Sequence, residues 1–157
     1  MDTQKALSAA AALCSKKEYC CQDIRKKLEK WGIEEKDCQS ILNELIRNKF
    51  LDDNRFALFY ARDKFRFNKW GKTKIAQMLK QKGIAPAIIQ EALATLPSEE
   101  QEEVCLRLMK QKCKHIRETD PLKTKAKLLR FALGRGFDYD TVNRCLLRLL
   151  QAEQEEE

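Results

Sequence analysis

Residues that interrupt helices are scarce in this sequence: 5 glycines and 3 prolines in 157 residues. A chain of many tight turns needs more of both, so an all-β fold is disfavoured. Histidine is nearly absent, His115 standing alone, which leaves acid–base schemes built on imidazole a single candidate. Long apolar runs are missing as well. The longest, Ala9–Cys14 and Phe56–Ala61, have six residues each, against the roughly 20 that a membrane helix requires. No charged-then-apolar stretch opens the sequence, so no signal peptide and no membrane association are expected, and a cytoplasmic location is.

Other absences concern metal and disulfide chemistry. The seven cysteines are odd in number and form no C-x-x-C. Cys14, Cys20, Cys21, Cys38, Cys105, Cys113 and Cys145 fall mostly among apolar neighbours at helical spacing, as reduced thiols packed like small hydrophobes do. A zinc site built from Cys105, Cys113 and His115 has no recognised ligand spacing. Neither a metal nor any other cofactor is expected. What the chain does have is 43% apolar residues, enough for a folded core, and 31 Lys+Arg against 24 Asp+Glu, a net +7.

The apolar residues repeat. Ile24-x3-Leu28-x3-Gly32-Ile33, Ile75-x3-Leu79-x3-Gly83-Ile84 and Leu128-x3-Ala132-x3-Gly136-Phe137 share one pattern, their glycines 51 and 53 residues apart. Cys38, Ile89 and Val142 follow six after the glycine, Leu42, Leu93 and Leu146 ten after, and Leu45, Leu96 and Leu149 thirteen after. A period near 50 predicts stacked supersecondary units. Apolar residues four apart share a helix face, and a glycine just past the helix end takes the left-handed conformation that closes it. The next apolar residue then packs back on the helix: Ile33 on Leu28, Ile84 on Leu79, Phe137 on Ala132. In the third pair the partner shrinks as the capping residue grows.

Each unit also opens with a further helix. Ala6–Ser15 is rich in helix-favouring alanine. Asp52-Asp53-Asn54 offers N-cap chemistry to a helix carrying Phe56, Phe59, Tyr60 and Phe67. Ser98-Glu99-Glu100-Gln101 resembles a capping box, and Pro121 suits a first helical position. The predicted fold is all-α: three tandem three-helix repeats over 1–50, 51–97 and 98–150, forming an elongated, curved array, then an acidic tail over 151–157 in which Glu153–Glu157 fray.

Positive charge is concentrated. Between Arg55 and Lys82, nine basic residues face only Asp63, a local +8, which suits a phosphate backbone or an acidic protein surface. A second basic stretch, Arg107–Arg117 and Lys123–Arg130, is read as a solvated helix face. Phe65, Phe67 and Trp70 lie among the central cations, as in single-strand binders that stack bases, although core packing accounts for most of the rings, Phe56, Phe59 and Tyr60 included. Gly71-Lys72-Thr73 looks like the end of a phosphate-binding loop, yet position 66, where the first glycine belongs, is Arg66. Asp52 and Asp53 serve a helix start better than a metal-dependent nuclease. No enzyme is expected.

The central stretch reads Leu51-Asp52-Asp53-x-Arg55-Phe56-Ala57-x2-Tyr60-x-Arg62, then Trp70-Gly71-x2-Lys74-Ile75-x3-Leu79-x2-Lys82-Gly83-Ile84. It resembles the RecX family of recombination regulators, from about Ala6 to Leu150 and most specifically over Leu51–Ile84. The resemblance implies a monomeric protein that binds RecA filaments on single-stranded DNA, lodges along the filament groove and suppresses ATP hydrolysis, growth and strand exchange. In that role it modulates recombination, DNA repair and the SOS response. RecA does the ATP chemistry, so this chain needs no cofactor. Carried over by position, the candidate contacts to RecA or DNA are Arg55, Arg62, Lys64, Arg66, Lys69, Lys72, Lys74 and Lys82. For Arg55 a nearby carboxylate, and for Lys82 a helix C-terminus, offer a structural alternative. The competing function is a transcription factor of helix-turn-helix type that binds DNA directly.

Overall fold

The computed structural model describes residues 1–156; Glu157 and the side chains of 154–156 lie outside the description. Among the described residues there are nine helices and no strand. They are α1 (Thr3–Lys16), α2 (Cys21–Lys30), α3 (Glu35–Arg47), α4 (Asp53–Arg66), α5 (Lys72–Gln81), α6 (Pro86–Ala94), α7 (Ser98–His115), α8 (Pro121–Gly134) and α9 (Tyr139–Glu156). The expected all-α class holds, three helices to each sequence period. The acidic end is helical through Glu156, in place of the expected fraying; the last position of that expectation, Glu157, is outside the described residues.

The three period-setting glycines do what their spacing requires. Gly32, Gly83 and Gly136 have φ of 83°, 77° and 96°, the left-handed region where a Cβ costs about 1–2 kcal/mol. Around each, two backbone bonds close the helix end. Ile33 N–H reaches the Leu28 carbonyl and Gly32 N–H that of Glu29, both at 3.0 Å. Ile84 and Gly83 repeat this on Leu79 (3.1 Å) and Lys80 (3.0 Å), and Phe137 and Gly136 on Ala132 (3.3 Å) and Leu133 (3.0 Å). This is the Schellman closure, with its apolar contact between the residue after the glycine and the one five before it. Sequence pattern alone misses a fourth such closure. Lys49 takes φ 64° after α3, with Phe50 N–H on the Leu45 carbonyl at 2.8 Å.

Packing gathers the chain into two compact units, Met1–Phe59 with Leu79–Ala92, and Tyr60–Met78 with the described residues from Leu93 on. In the first, Ala6, Ala10, Ile24, Leu28, Ile33, Cys38, Ile41, Leu42, Leu45 and Leu51 form one core. In the second, Cys105, Leu106, Met109, Leu128, Ala132, Phe137, Val142, Cys145 and Leu146 form another. Burying one such leucine contributes about 1.5–3 kcal/mol. The repeating offsets mark these positions well, with only Leu93 and Leu149 left half-buried. Phe59 departs from the expected core and is 47% exposed. The buried positions of α4 include Ala57 and Ala61, and Phe59, midway between them, projects about 160–200° away on a 3.6-residue helix.

Two caps differ from expectation. Asp52 Oδ1 accepts from Arg55 N–H at 3.1 Å as a local N-cap, but Asp53 Oδ1 accepts from Cys21 N–H at 2.9 Å and so caps α2. The capping box at Ser98 is not formed: α7 has Pro97 at its N-cap and no side-chain cap bond. Gln101, which would complete the box, is turned inward and buried. Pro121 does open α8, behind Asp120, whose carboxylate accepts from Leu122 N–H at 3.0 Å.

Candidate functional site

The eight cationic candidates divide by what their charges touch. In the first unit Arg55 Nε donates to Glu18 Oε1 at 2.8 Å, and its Nη2 donates to the carbonyls of Lys49 and Phe50 at 3.2 and 3.3 Å. That guanidinium ties the end of α3 to the start of α4. Lys82 Nζ lies 3.4 Å from Asp23 Oδ1 and 5.6 Å from the centre of the Phe56 ring. Both groups are engaged inside their own unit, Lys82 with a carboxylate of α2.

The other six fall in the second unit, on the end of α4, the turn after it and the start of α5. The turn is held rigidly by backbone. Gly71 N–H donates to the Arg135 carbonyl at 2.9 Å, Thr73 N–H to that of Gly136 at 3.0 Å, and Arg135 Nη2 returns a bond to the Asn68 carbonyl at 2.7 Å. A Cβ on Gly71 would overlap the Gly136 carbonyl, and one on Gly136 would overlap Lys74. Two glycines are thus required for two backbones to meet. Lys69 takes φ 58°, and its Nζ donates to the Arg66 carbonyl at 2.7 Å, so its charge closes the C-terminus of α4.

Trp70, just after Lys69, is the centre of the cluster. The ammonium groups of Lys74 and Lys64 stand 4.4 and 4.9 Å from its ring centre, and Lys64 also lies 5.4 Å from Tyr60. Cation–π attraction holds these side chains in defined positions at about 0.5–1 kcal/mol each. Arg66 covers Phe67 at 5.8 Å, and Phe67 is 72% exposed. Arg62 and Arg66 are exposed and Lys72 half-buried. The assembly offers fixed cations around aromatic surface, a chemistry suited to polyanions and to unstacked bases.

A smaller version of this station escapes the sequence reading. In the first unit Lys17 and Lys27 lie 4.7 and 5.7 Å from the ring centre of Tyr19. Tyr19 precedes Trp70 by 51 residues, the same interval as Gly32 to Gly83. Extending the repeat register upstream of the glycine would find it. Arg135 escapes too, because only the tertiary fold brings it to the 68–71 turn.

The remaining chemistry-bearing groups are accounted for by packing. All seven cysteines are free thiols, and Cys20, Cys38, Cys105 and Cys145 are fully buried. Burial pushes the Cys20 thiol up to about 11, and burial with the Asp53 carboxylate pushes Cys21 up to about 12, far from the thiolate form that reacts. Among the described residues no three His, Cys, Asp or Glu side chains gather as metal ligands, and no helix is long and apolar enough to cross a membrane.

Fold and surface together define an all-α protein of three-helix repeats with a cationic, aromatic-centred face. The family models described as the second and third three-helix domains of RecX match residues 52–93 and 99–146. A Regulatory protein RecX from Prosthecochloris aestuarii is 32% identical over 95% of this chain and 96% of its own length. One from Clostridium perfringens is 30% identical over 84% of this chain, which spans 62% of that relative. The crystal structure of RecX from Lactobacillus salivarius superposes with a TM-score of 0.84 at 24% identity, covering 94% of this chain and 96% of that one. The chain belongs to the RecX family.

Proposed function

We propose that this protein regulates RecA recombinase: it binds the RecA–single-stranded DNA filament and suppresses ATP hydrolysis, filament growth and strand exchange. Through that it modulates recombination, DNA repair and the SOS response in the cytoplasm. Its partners are the RecA filament and the DNA within it, and the chain acts as a monomer without a cofactor. The observation that carries the reading is the cationic cluster held around Trp70 in a chain of this family. Fixed positive charge speeds approach to a nucleoprotein polymer, and several modest contacts on one body combine through effective concentration.

Among the candidates, Arg62, Arg66 and Lys72 are the contact residues, Lys64 and Lys74 position Trp70, Lys69 shapes the turn, and Arg55 and Lys82 are structural. The test adds the protein to cognate RecA, single-stranded DNA and ATP. Hydrolysis falls with wild type at near-equal ratios and falls far less with Arg62→Glu/Arg66→Glu/Lys72→Glu, whose helicity is unchanged. Undiminished hydrolysis with folded wild-type protein overturns the reading. A strong sequence preference in a DNA binding-site selection would support the transcription-factor alternative instead.

A further inference from the structure

The second unit carries another cationic concavity, well separated in sequence from the Trp70 cluster. A cavity of about 400 Å³ between the end of α7, the segment after it and the middle of α8 is lined by Lys112, His115, Arg117, Lys127, Arg130 and Phe131, with Ile116. Its lining holds no carboxylate. Glu118 reaches in only as far as Lys127, at 3.6 Å, while among the described residues Lys112, Arg117 and Arg130 have no ion pair. Lys112 Nζ stands 5.3 Å from the centre of the Phe131 ring.

Ordinary helix electrostatics explains only part of this arrangement. Lys112, Lys114 and His115 occupy the last turn of α7, where cations complement the helix dipole. Arg117 lies beyond that helix. Lys127 and Arg130 sit mid-helix on α8, a segment with four cations and no acidic residue. Like charges three or four apart destabilise a helix by a few tenths of a kcal/mol each. Acidic residues for neutralising them exist nearby in sequence, but Glu102 and Glu103 on α7 are engaged by Arg144 and Arg148 of α9 instead. The fold pairs one half of α7 and leaves the other half cationic.

We propose that this cavity is a second nucleic-acid site, taking the phosphodiester backbone of a single strand on Arg117, Arg130 and Lys112, with an unstacked base against Phe131. It rests on the regulator reading above and gives it a second point of attachment to the DNA. Guanidinium groups bind phosphate through paired N–H donors, and aromatic rings in a cationic groove accept any base by stacking. An acidic protein segment would use the cations but not the ring. The volume is at the small end of ligand cavities, about 300–1,000 Å³, and accommodates one nucleotide at a time.

Binding of a fluorescein-labelled oligothymidylate to the full chain, with RecA omitted, tests the site separately from filament regulation. Anisotropy is followed across a salt series. Arg117→Glu/Arg130→Glu weakens binding at least tenfold and flattens the log–log salt slope by about 0.7 for each phosphate the variant ceases to neutralise. Phe131→Leu weakens it severalfold with the slope unchanged. The charge-matched control Lys110→Glu/Lys123→Glu, on the two helices that flank the cavity but outside its lining, stays near wild type. Equal losses in both double variants, or full affinity in the cavity variant, overturn the proposal, as does displacement of the oligonucleotide by polyglutamate as readily as by unlabelled DNA. Photocrosslinking wild-type protein to a 4-thiothymidine oligonucleotide needs no variant to fold. Adducts within 112–131 support the site, and adducts confined to 62–74 reject it. Failure of these tests with ATPase suppression intact removes the second site alone; the reverse removes the RecA reading.

Discussion

The two packing units use the same local grammar and distribute their charge differently. Both close helices on a left-handed glycine followed by an apolar residue, with the same pair of backbone bonds. The first unit then matches its cations with carboxylates: Arg55 with Glu18, Arg25 with Glu35, Lys82 with Asp23. In the second, Glu102 and Glu103 are gathered by two arginines of α9 and Glu118 by Lys127, while among the described residues Lys64 and Lys74 at Trp70 and Lys112 at Phe131 have no ion pair. Repeat architecture constrains only the buried stripe and the caps, so surface charge is free to diverge between copies. Both units pair part of their charge internally, and the cations set around Trp70 and Phe131 in the second have a smaller counterpart at Tyr19 in the first.

Glycine substitutions break the comparison most severely. Gly71→Ala drives a Cβ into the backbone of Gly136 and lowers stability by about 3 kcal/mol, since overpacking against backbone has little room to relax. Gly83→Val comes next, at about 2 kcal/mol, because it puts a β-branched residue at φ +77°; the Gln22 amide oxygen that its Cβ meets ends a flexible side chain and moves aside. Gly32→Ala meets nothing within 4 Å and carries only the left-handed penalty, about 1 kcal/mol. Urea unfolding of the three variants gives the order; equal losses would mean that backbone contact in the second unit has no special weight.

Arginine truncations sharpen the electrostatic contrast. Arg55→Ala removes an ion pair and two carbonyl bonds and lowers stability by about 1 kcal/mol. Arg62→Ala, exposed on the same helix, stays within about 0.5 kcal/mol. Thermal melts of both variants check this, and a larger effect at Arg62 would reverse the assignment of structural and presenting cations.

The smallest effect concerns acid. A hydrogen bond from Arg144 holds the Glu102 carboxyl below its usual range against the opposing effect of burial, with Arg148 adding to the lowering. A depressed folded pKa contributes stability above the ordinary carboxylate value, about 4.3, and that stability is lost as pH falls through the folded value. Glu102→Gln therefore narrows the stability difference between neutral pH and pH 3 relative to wild type. An unchanged difference in Tm across that range would show that the network contributes nothing to acid sensitivity.

Much of the molecule is legible in the sequence because its signals are local. The offsets from Gly32, Gly83 and Gly136 mark the buried face, and Asp120-Pro121 marks the start of α8. Errors arise where a side chain has two local options and the fold chooses a distant one. Asp53 faces α2, Gln101 turns inward, and Phe59 falls outside the buried stripe of α4. At the candidate site, the basic residues are all visible, but their roles are not. The sequence offers a carboxylate partner as an alternative role for Arg55 and none for Arg62; only the fold shows that the carboxylate is Glu18, 37 residues away.

The sequence by itself determined the helices, their three glycine closures and the buried stripe, since each depends on residues close to one another along the chain. Tertiary structure alone decided which cations are neutralised and which remain available. Charge pairing is a matter of distance through space, and the carboxylates that meet Arg55, Lys82, Arg144 and Arg148 come from remote parts of the chain.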